Sequence, residues 1–284
     1  MNRKSYEELT FVDDFMFCKI LTARVDLCRK LLELILHIEI EKLEVVVAQN
    51  AIEPTYDGRG IRLDVYAADD RGSVYDIEMQ TTKPRDIGKR MRYYQGMIDL
   101  NLIERGAGFG DLSRSFIIFI CTDDPFGRAL PVYTFRNRCI EAEDLRLGDE
   151  AEKVVVNADG RRDGLDGEMA ALLNFVRDNR AESELTRELR DAVLEAIEHK
   201  EWRDEYMTFR MKLNEEREEG REEGRKEGRE EGRKEGRKEG RKEGETKLGE
   251  LIARLLELGR SNDAAVAATD GAERERLYEE FGIV

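Results

Sequence analysis

Apolar and polar positions alternate most regularly between Ile61 and Gln80, in IRLDVYAADDRGSVYDIEMQ. The alternation runs on both sides of Asp70-Arg71-Gly72, which predicts two strands around a tight turn, with Gly72 able to take positive φ at the bend. Folding the segment about Arg71 sets Leu63 against Met79, Val65 against Ile77 and Ala67 against Tyr75. The apolar side chains then share one face. The other face carries Asp64 directly across from Glu78, with Gln80 two residues on. A slip of one residue would send these acids into the apolar face, so the pattern itself specifies the parity.

Helical spacing precedes the hairpin. Residues 8–22 (ELTFVDDFMFCKILT) predict a short helix, and residues 25–37 an amphipathic one with Val25, Cys28, Leu31, Leu32 and Ile35 on one side. VVVAQNAI then reads as extended. Residues 86–105 predict a helix closing at Gly106. SFIIFICT at 115–122 is nearly all apolar, which suits a strand buried on both faces. Shorter strand-like pieces follow at VYTFRNRCI and KVVVN, and from Glu168 the pattern is helical, over about 168–178 and 184–213. The order helix, helix, strand, hairpin, helix, buried strand predicts an α/β fold: a mixed sheet core flanked by helices, with an all-helical C-terminal extension.

Residues 214–245 follow a different rule. Glycine recurs every fourth residue from Gly220 to Gly244, separated by charged triplets, with no apolar residue to build a core. Each glycine costs a helix about 1 kcal/mol relative to alanine. Opposite charges such as Glu223 and Lys226 return a few tenths. The expectation is a flexible or marginally helical spacer. Glycines spaced by four drift about 40° per repeat around a helix, so they form no straight seam. LGELIARLLELG then predicts an amphipathic helix ending at Gly259. SNDAAVAAT and AERERLYEEFGIV predict further helices, the first capped by Ser261 or Asn262. The tail reads as a small helical association module, with a helix-turn-helix as the weaker alternative because its end is acidic.

The chain has 284 residues and a net charge of −15, which argues against indiscriminate nucleic-acid binding. The charge is uneven. Residues 81–115 hold Lys83, Arg85, Lys89, Arg90, Arg92, Arg105 and Arg114 against Asp86, Asp99, Glu104 and Asp111, a local excess of three positive charges just after Gln80. Residues 215–245 carry 13 acidic and 11 basic side chains, so the spacer is no DNA patch. There is no run of 18 apolar residues and no apolar signal core, so the expected location is cytoplasmic. Cys18, Cys28, Cys121 and Cys139 form no CxxC pair, and only His37 and His199 could add imidazoles. A structural zinc site is not expected, and the cysteines read as reduced, mostly buried thiols. Neither histidine sits in a nucleophile motif, so Ser/His/Asp hydrolysis is not expected.

Directly opposed side chains in a hairpin have Cβ atoms about 4.5–5.5 Å apart. Two carboxylates that close repel unless a positive charge lies between them, and a divalent cation answers that need. Solvent screening on an ordinary hairpin face is the plain alternative. An acidic cluster followed by a small basic patch is what phosphodiester chemistry requires.

At Asp64, at Glu78-Met79-Gln80 and at Arg90-Met91-Arg92-Tyr93-Tyr94, the chain resembles the Rpn family of recombination-promoting nucleases and transposases, within the PD-(D/E)XK nuclease superfamily. The likeness covers about residues 8–160. It also includes the start at Asp14-Phe15-Met16-Phe17-Cys18-Lys19 and the strand end at Asp123-Asp124-Pro125-Phe126. The resemblance implies an α-β-β-β-α-β core and divalent-metal-dependent DNA cleavage. Asp64 and Glu78 match the metal-binding acids, and Gln80 stands in place of the superfamily's lysine. Leu63-Asp64 replaces its Pro-Asp. With a neutral amide at position 80, transition-state charge falls to the metal or to a nearby base: Arg90, with Lys83 the weaker candidate. Asp14 is the choice for the first-helix acid, with Glu8 and Asp13 as alternatives.

Mg²⁺, with Mn²⁺ as substitute, takes oxygen ligands, here expected from Asp64, Glu78 and the Met79 carbonyl. Gln80 would orient the attacking water, and Arg90 would grip a phosphate oxygen or form a surface ion pair. Tyr93 and Tyr94 are expected to pack their helix onto the sheet. The expected organisation is a nuclease-like domain over 1–165, a helical extension over 166–213, the glycine-period spacer over 214–245 and a helical tail over 246–284. The expected activity is that of a DNA endonuclease in recombination, mobile-element transfer or defence, with a homodimer through the C-terminal helices. RNA is the alternative substrate. A non-catalytic nuclease-fold scaffold assembling through the tail is the alternative function.

Overall fold

The computed structural model describes residues 4–52, 60–83, 86–104 and 106–283, without the side chains of 212, 213, 216, 217 and 223. Arg85, Arg105 and the Glu223 side chain, used above, lie outside the described residues. The elements run α1 (Asp14–Ala23), α2 (Val25–Leu36), β1 (Leu43–Ile52), β2 (Ile61–Asp69), β3 (Val74–Gln80), α3 (Ile87–Leu102), β4 (Ser115–Cys121), β5 (Val132–Phe135), β6 (Ala151–Asn157), α4 (Gly167–Asp178), α5 (Glu184–Glu198), α6 (Lys200–Glu257), α7 (Ser261–Thr269) and α8 (Gly271–Phe281). They form two compact units, residues 1–207 and 208–284. Among the described residues no helix is long and apolar enough to cross a membrane.

The first unit is built on one six-stranded mixed sheet of order β1-β2-β3-β4-β6-β5. β3, β4 and β6 run parallel, and the other neighbours are antiparallel. The β2–β3 register matches the alternation: Val65 pairs with Ile77 and Ala67 with Tyr75. Gly72 has φ of +79° at the bend. The turn is held by Asp69, whose carboxylate accepts from the Arg71 and Ser73 amides at 2.9 and 2.8 Å and from the Tyr75 hydroxyl at 2.7 Å. β4 is buried along its whole length between two parallel neighbours, as its apolar run predicts.

Both faces of the sheet are covered. Ile87, Met91, Tyr94, Met97 and Ile98 of α3 pack against Ile117, Phe119 and Cys121 of β4 and Val155 of β6. Residues of the other parity, including Val65, Ala67, Tyr75, Ile77, Ile118 and Ile120, are buried on the reverse face. Helices α1, α2, α4 and α5 pack on one another, and α1 also meets β1 and β2. The acidic face of the hairpin is therefore no solvated surface.

Several local expectations are corrected. A 3₁₀ turn (Tyr6–Glu8) occupies the front of the 8–22 segment, and α1 starts only at Asp14. In α2 Leu27 is buried and Val25 is exposed. α3 stops at Leu102, before Gly106. β5 is only four residues long. Arg138 and Arg146, beyond it, make an isolated bridge. Tyr94 packs on the sheet, with its ring 6.0 Å from that of Phe119, but Tyr93 is 41% exposed. His37 closes α2 in the left-handed conformation, and His199 follows α5 and stacks on Trp202 at 5.0 Å. Cys18, Cys28 and Cys121 are buried free thiols, while Cys139 is half-buried.

Residues 214–245 all lie within the helix α6. Ion pairs Lys234–Glu230 (3.6 Å) and Arg241–Glu245 (2.8 Å) sit at i,i+4, and strong helix formers flank the glycines on both sides. In the second unit Leu251, Leu255, Ala264, Ala267 and Leu277 form a small core. Neither Ser261 nor Asn262 caps α7; Arg260 precedes it and donates to Asp263 at 2.6 Å. Asp270 caps α8 by accepting from the Ala272 amide at 2.9 Å.

Gly160 lies in the turn after β6, pressed onto the segment entering β5. A Cβ there would lie 2.6 Å from Pro131 Cα and 2.7 Å from the Leu130 carbonyl. Both obstacles are backbone, so Gly160→Ala is expected to cost about 1–3 kcal/mol. Urea unfolding checks this: the midpoint should fall with an unchanged slope.

Candidate metal centre

The β2–β3 ladder runs from Ala68–Val74 to Val65–Ile77, and past that pair side chains take over the backbone's bonds. The Asp64 amide donates to Glu78 Oε1 at 2.9 Å, and the Met79 amide donates to Asp64 Oδ2 at 3.1 Å. Each carboxylate thus binds the main chain of the opposite strand. Across β2, Gln49 of β1 sits between the Ala48–Val65 and Asn50–Leu63 pairs with φ of +51°, so the neighbouring backbone is strained at the same level.

Glu78 is 1% exposed, and its second oxygen accepts from Arg90 Nη2 at 2.6 Å. The rest of the Arg90 guanidinium is also engaged. Nη1 donates to Gln80 Oε1 at 2.8 Å and Nε to the Tyr94 hydroxyl at 3.0 Å, while the group lies 4.8 Å from the Phe119 ring centre. Gln80 Nε2 donates to the Thr82 carbonyl and hydroxyl at 2.9 and 2.8 Å. Gln80 is therefore bonded at both ends of its amide. Arg90 pairs inside the cluster, not with a surface partner on its own helix. Lys83 is exposed on the segment after β3.

The three N-terminal acids separate clearly. Asp13 pairs with Lys4 at 2.7 Å and accepts from the Thr10 amide at 2.7 Å. Glu8 accepts from the Ser5 amide at 2.6 Å. Asp14 instead stands beside Cys18, whose sulfur lies 3.7 Å from Asp14 Oδ1 and 3.3 Å from the Asp64 carbonyl. Ligand atoms of Asp14, Cys18 and Asp64 lie within 4.8 Å of one another. Glu78 is not in that group, because its oxygens are turned to Arg90 and to the Asp64 amide.

Two participants escape the sequence reading. Asp76 is fully buried two residues before Glu78, and among the described residues neither of its oxygens has a hydrogen-bond partner. Strand alternation puts it on the Glu78 face, so parity alone could have singled it out. Cys18 is the other. A helical i,i+4 relation to Asp14 was its only signal.

The charges explain the titration. Burial lifts the Asp64 carboxyl to about 6, aided by the charge of Asp14 and opposed by the Met79 amide, Arg90 and Arg62. Burial and then Asp64 lift Glu78 to about 8, against the Asp64 amide and Arg90. Asp76 is raised well above the usual range by burial and by Glu78. Burial raises Asp14, with Arg62 opposing, and raises the Cys18 thiol strongly. Four acids face two guanidinium groups: Arg90 acts on Asp64, Asp76 and Glu78, and Arg62 on Asp14 and Asp64. A cluster so short of positive charge, built mainly from carboxylate oxygens, fits a divalent cation of the Mg²⁺ or Mn²⁺ type.

Folded Asp64 and Glu78 keep protons that the unfolded chain releases near the ordinary carboxylate value. The folded state is the greater proton binder up to about 6 for Asp64 and about 8 for Glu78. Stability is complete below that window and falls as pH rises through it. Without metal, stability and with it the thermal midpoint should fall from about pH 4 to pH 8, by up to about 1.4 kcal/mol per pH unit for each of the two groups. Asp76→Asn should flatten the decline. Melting curves across pH check this, and a level profile for the parent protein would contradict it.

Residues 12–129 match the family model described as "PD-(D/E)XK nuclease family transposase". The span contains Asp14, Asp64, Glu78, Gln80 and Arg90, and it bears out the superfamily resemblance. The α/β sheet with flanking helices agrees with that fold. Nucleases of this kind typically use divalent metals and act on DNA. No curated protein and no solved structure gives a significant match to the chain.

Proposed function

We propose that the region spanning residues 1–165 is a Mg²⁺-dependent endodeoxyribonuclease, serving recombination, mobile-element transfer or defence. The observation that carries this reading is the acid-rich cluster where β2 and β3 exchange carboxylate-to-amide bonds, inside the matched span. Asp64 would hold the ion beside Asp14 and Cys18, joined by the Met79 carbonyl and by Glu78 once one of its oxygens leaves Arg90 or the Asp64 amide. When bound, the metal supplies an acidified water and polarises the scissile phosphate.

The chain's own residues do the positioning. Arg90 ties Glu78 to Gln80 through its two terminal nitrogens and neutralises part of the acid cluster. Gln80 reaches a water only by exchanging its bond to Thr82 or to Arg90. Phe119 and Tyr94 flank the guanidinium and limit its freedom. RNA would meet the same groups, so the metal cluster does not set the choice of sugar.

A second reading has one observation behind it. The tail exposes Leu256 and Leu258 at 54% and 63%, an apolar pair suited to self-association. On that reading the 246–284 module makes a homodimer, and the nuclease fold serves as a scaffold.

Plasmid nicking separates them. The parent protein should cleave with Mg²⁺ and stop with chelator, and Asp64→Ala should lower the rate about 100-fold or more. Equal cleavage by the two proteins would remove Asp64 from the site. Calorimetry with Mn²⁺ should show binding that Glu78→Ala abolishes; a scaffold would show none.

A further inference from the structure

A site that cleaves a phosphodiester has to hold a doubly bonded, negatively charged phosphate next to its own carboxylates. The metal would meet the scissile phosphate; a neighbouring backbone phosphate needs a side-chain cation with uncommitted donors. Arg90 is not free: Nη2 is on Glu78, Nη1 on Gln80 and Nε on Tyr94, and its face lies against Phe119. Breaking these contacts would leave Glu78, which is buried, without its neutralising partner.

Arg62 has the opposite situation. It lies on β2 two residues before Asp64, so strand alternation places both on one face, about 6.6–6.8 Å apart along the strand. It pairs in the ladder with Ala51 of β1. It is exposed, and among the described residues its guanidinium makes no ion pair or hydrogen bond. This is so although its positive charge is felt at both Asp14 and Asp64, where it opposes their upward shifts. An arginine serving only to hold the fold would close onto one of those acids. This one stays exposed on the strand face that carries Asp64, with a planar fork suited to two oxygens of one phosphate.

We propose that Arg62 is the substrate-gripping cation of this site, binding a backbone phosphate of the nucleic acid beside the one presented to Asp64. The proposal rests on the nuclease reading above and adds the residue that receives the substrate's charge. It also assigns Arg90 to positioning. The two arginines then have different signatures. Loss of a phosphate contact weakens nucleic-acid binding across sequences and lowers its salt dependence. Loss of a cation beside Asp14 and Asp64 favours another cation in its place, so metal binding should tighten.

The test uses the full chain with Arg62→Gln and Arg62→Lys. Binding to a short fluorescent DNA duplex is followed by anisotropy in chelator, across a salt series, and Mn²⁺ binding by calorimetry. Arg62→Gln should bind duplex about 10-fold more weakly and reduce the log–log salt slope by about 0.9, while Mn²⁺ binds at least as tightly as to the parent. Arg62→Lys should restore the salt slope. Melting curves of both variants should match the parent, since the residue is exposed. Parental affinity and slope in Arg62→Gln would overturn the proposal, as would weaker Mn²⁺ binding together with a lower melting point. If the parent cleaves DNA and loses cleavage on Asp64→Ala, those failures concern Arg62 alone. If the parent neither binds nor cleaves DNA, both the nuclease reading and the proposal fall.

Discussion

The structure of the site depends on the exchange of carboxylate-to-amide bonds between Asp64 and the Glu78-Met79 backbone. A hairpin ladder normally satisfies its amides with carbonyls. Here two of them are satisfied by side chains, so β2 and β3 stay joined without continuing to zip. Each carboxylate spends one oxygen on the main chain and keeps another for the site. Glu78 gives its second oxygen to Arg90. Both strands also contribute to a buried sheet, so neither acid can swing away to relieve the repulsion. What burial and mutual charge raise, only protons or a cation can settle.

That constraint organises the neighbours. α3 supplies Arg90 to Glu78 from the packed face, and Tyr94 and Phe119 hold its guanidinium in place. α1 supplies Asp14 and Cys18 from the other direction, onto Asp64. Glu78 and Asp64 are locked together through backbone yet face different partners, Glu78 the Arg90 guanidinium and Asp64 the carboxylate of Asp14 and the thiol of Cys18. Asp76 lies behind Glu78, fully buried and, among the described residues, without a hydrogen-bond partner for either oxygen. A neutral Asp76 adds no further repulsion to the cluster; an ionised one would.

The hairpin was legible because its signal is periodic and local. Alternation around Gly72 gives the register from Ala67–Tyr75 to Val65–Ile77, and the apolar run at 115–121 gives the central strand. What escaped lies in two classes. Asp76 and Arg62 share faces with Glu78 and Asp64 by the same alternation, but a search for opposed acids passes over i,i+2 neighbours. Cys18 depends on how α1 docks, which no local pattern states; Asp14 was reached only through the family resemblance. The helix through 214–245 is a third case. Per-residue glycine penalties argue against it, whereas i,i+4 ion pairs and helix-forming flanks act over the whole length.

Placing Gln80 where a lysine would stand looks at first like the loss of a charge the reaction needs. The contacts suggest a redistribution instead. A lysine at position 80 would face Arg90 at hydrogen-bond distance and repel it; glutamine accepts from Arg90 through its oxygen and lets that guanidinium reach Glu78. The positive charge has moved from β3 to α3, where its donors are committed. On the proposed reading, a cation with uncommitted donors comes from another strand. β2 offers it at Arg62, on the same face as Asp64, so that in the proposed site two arginines divide the work of one lysine.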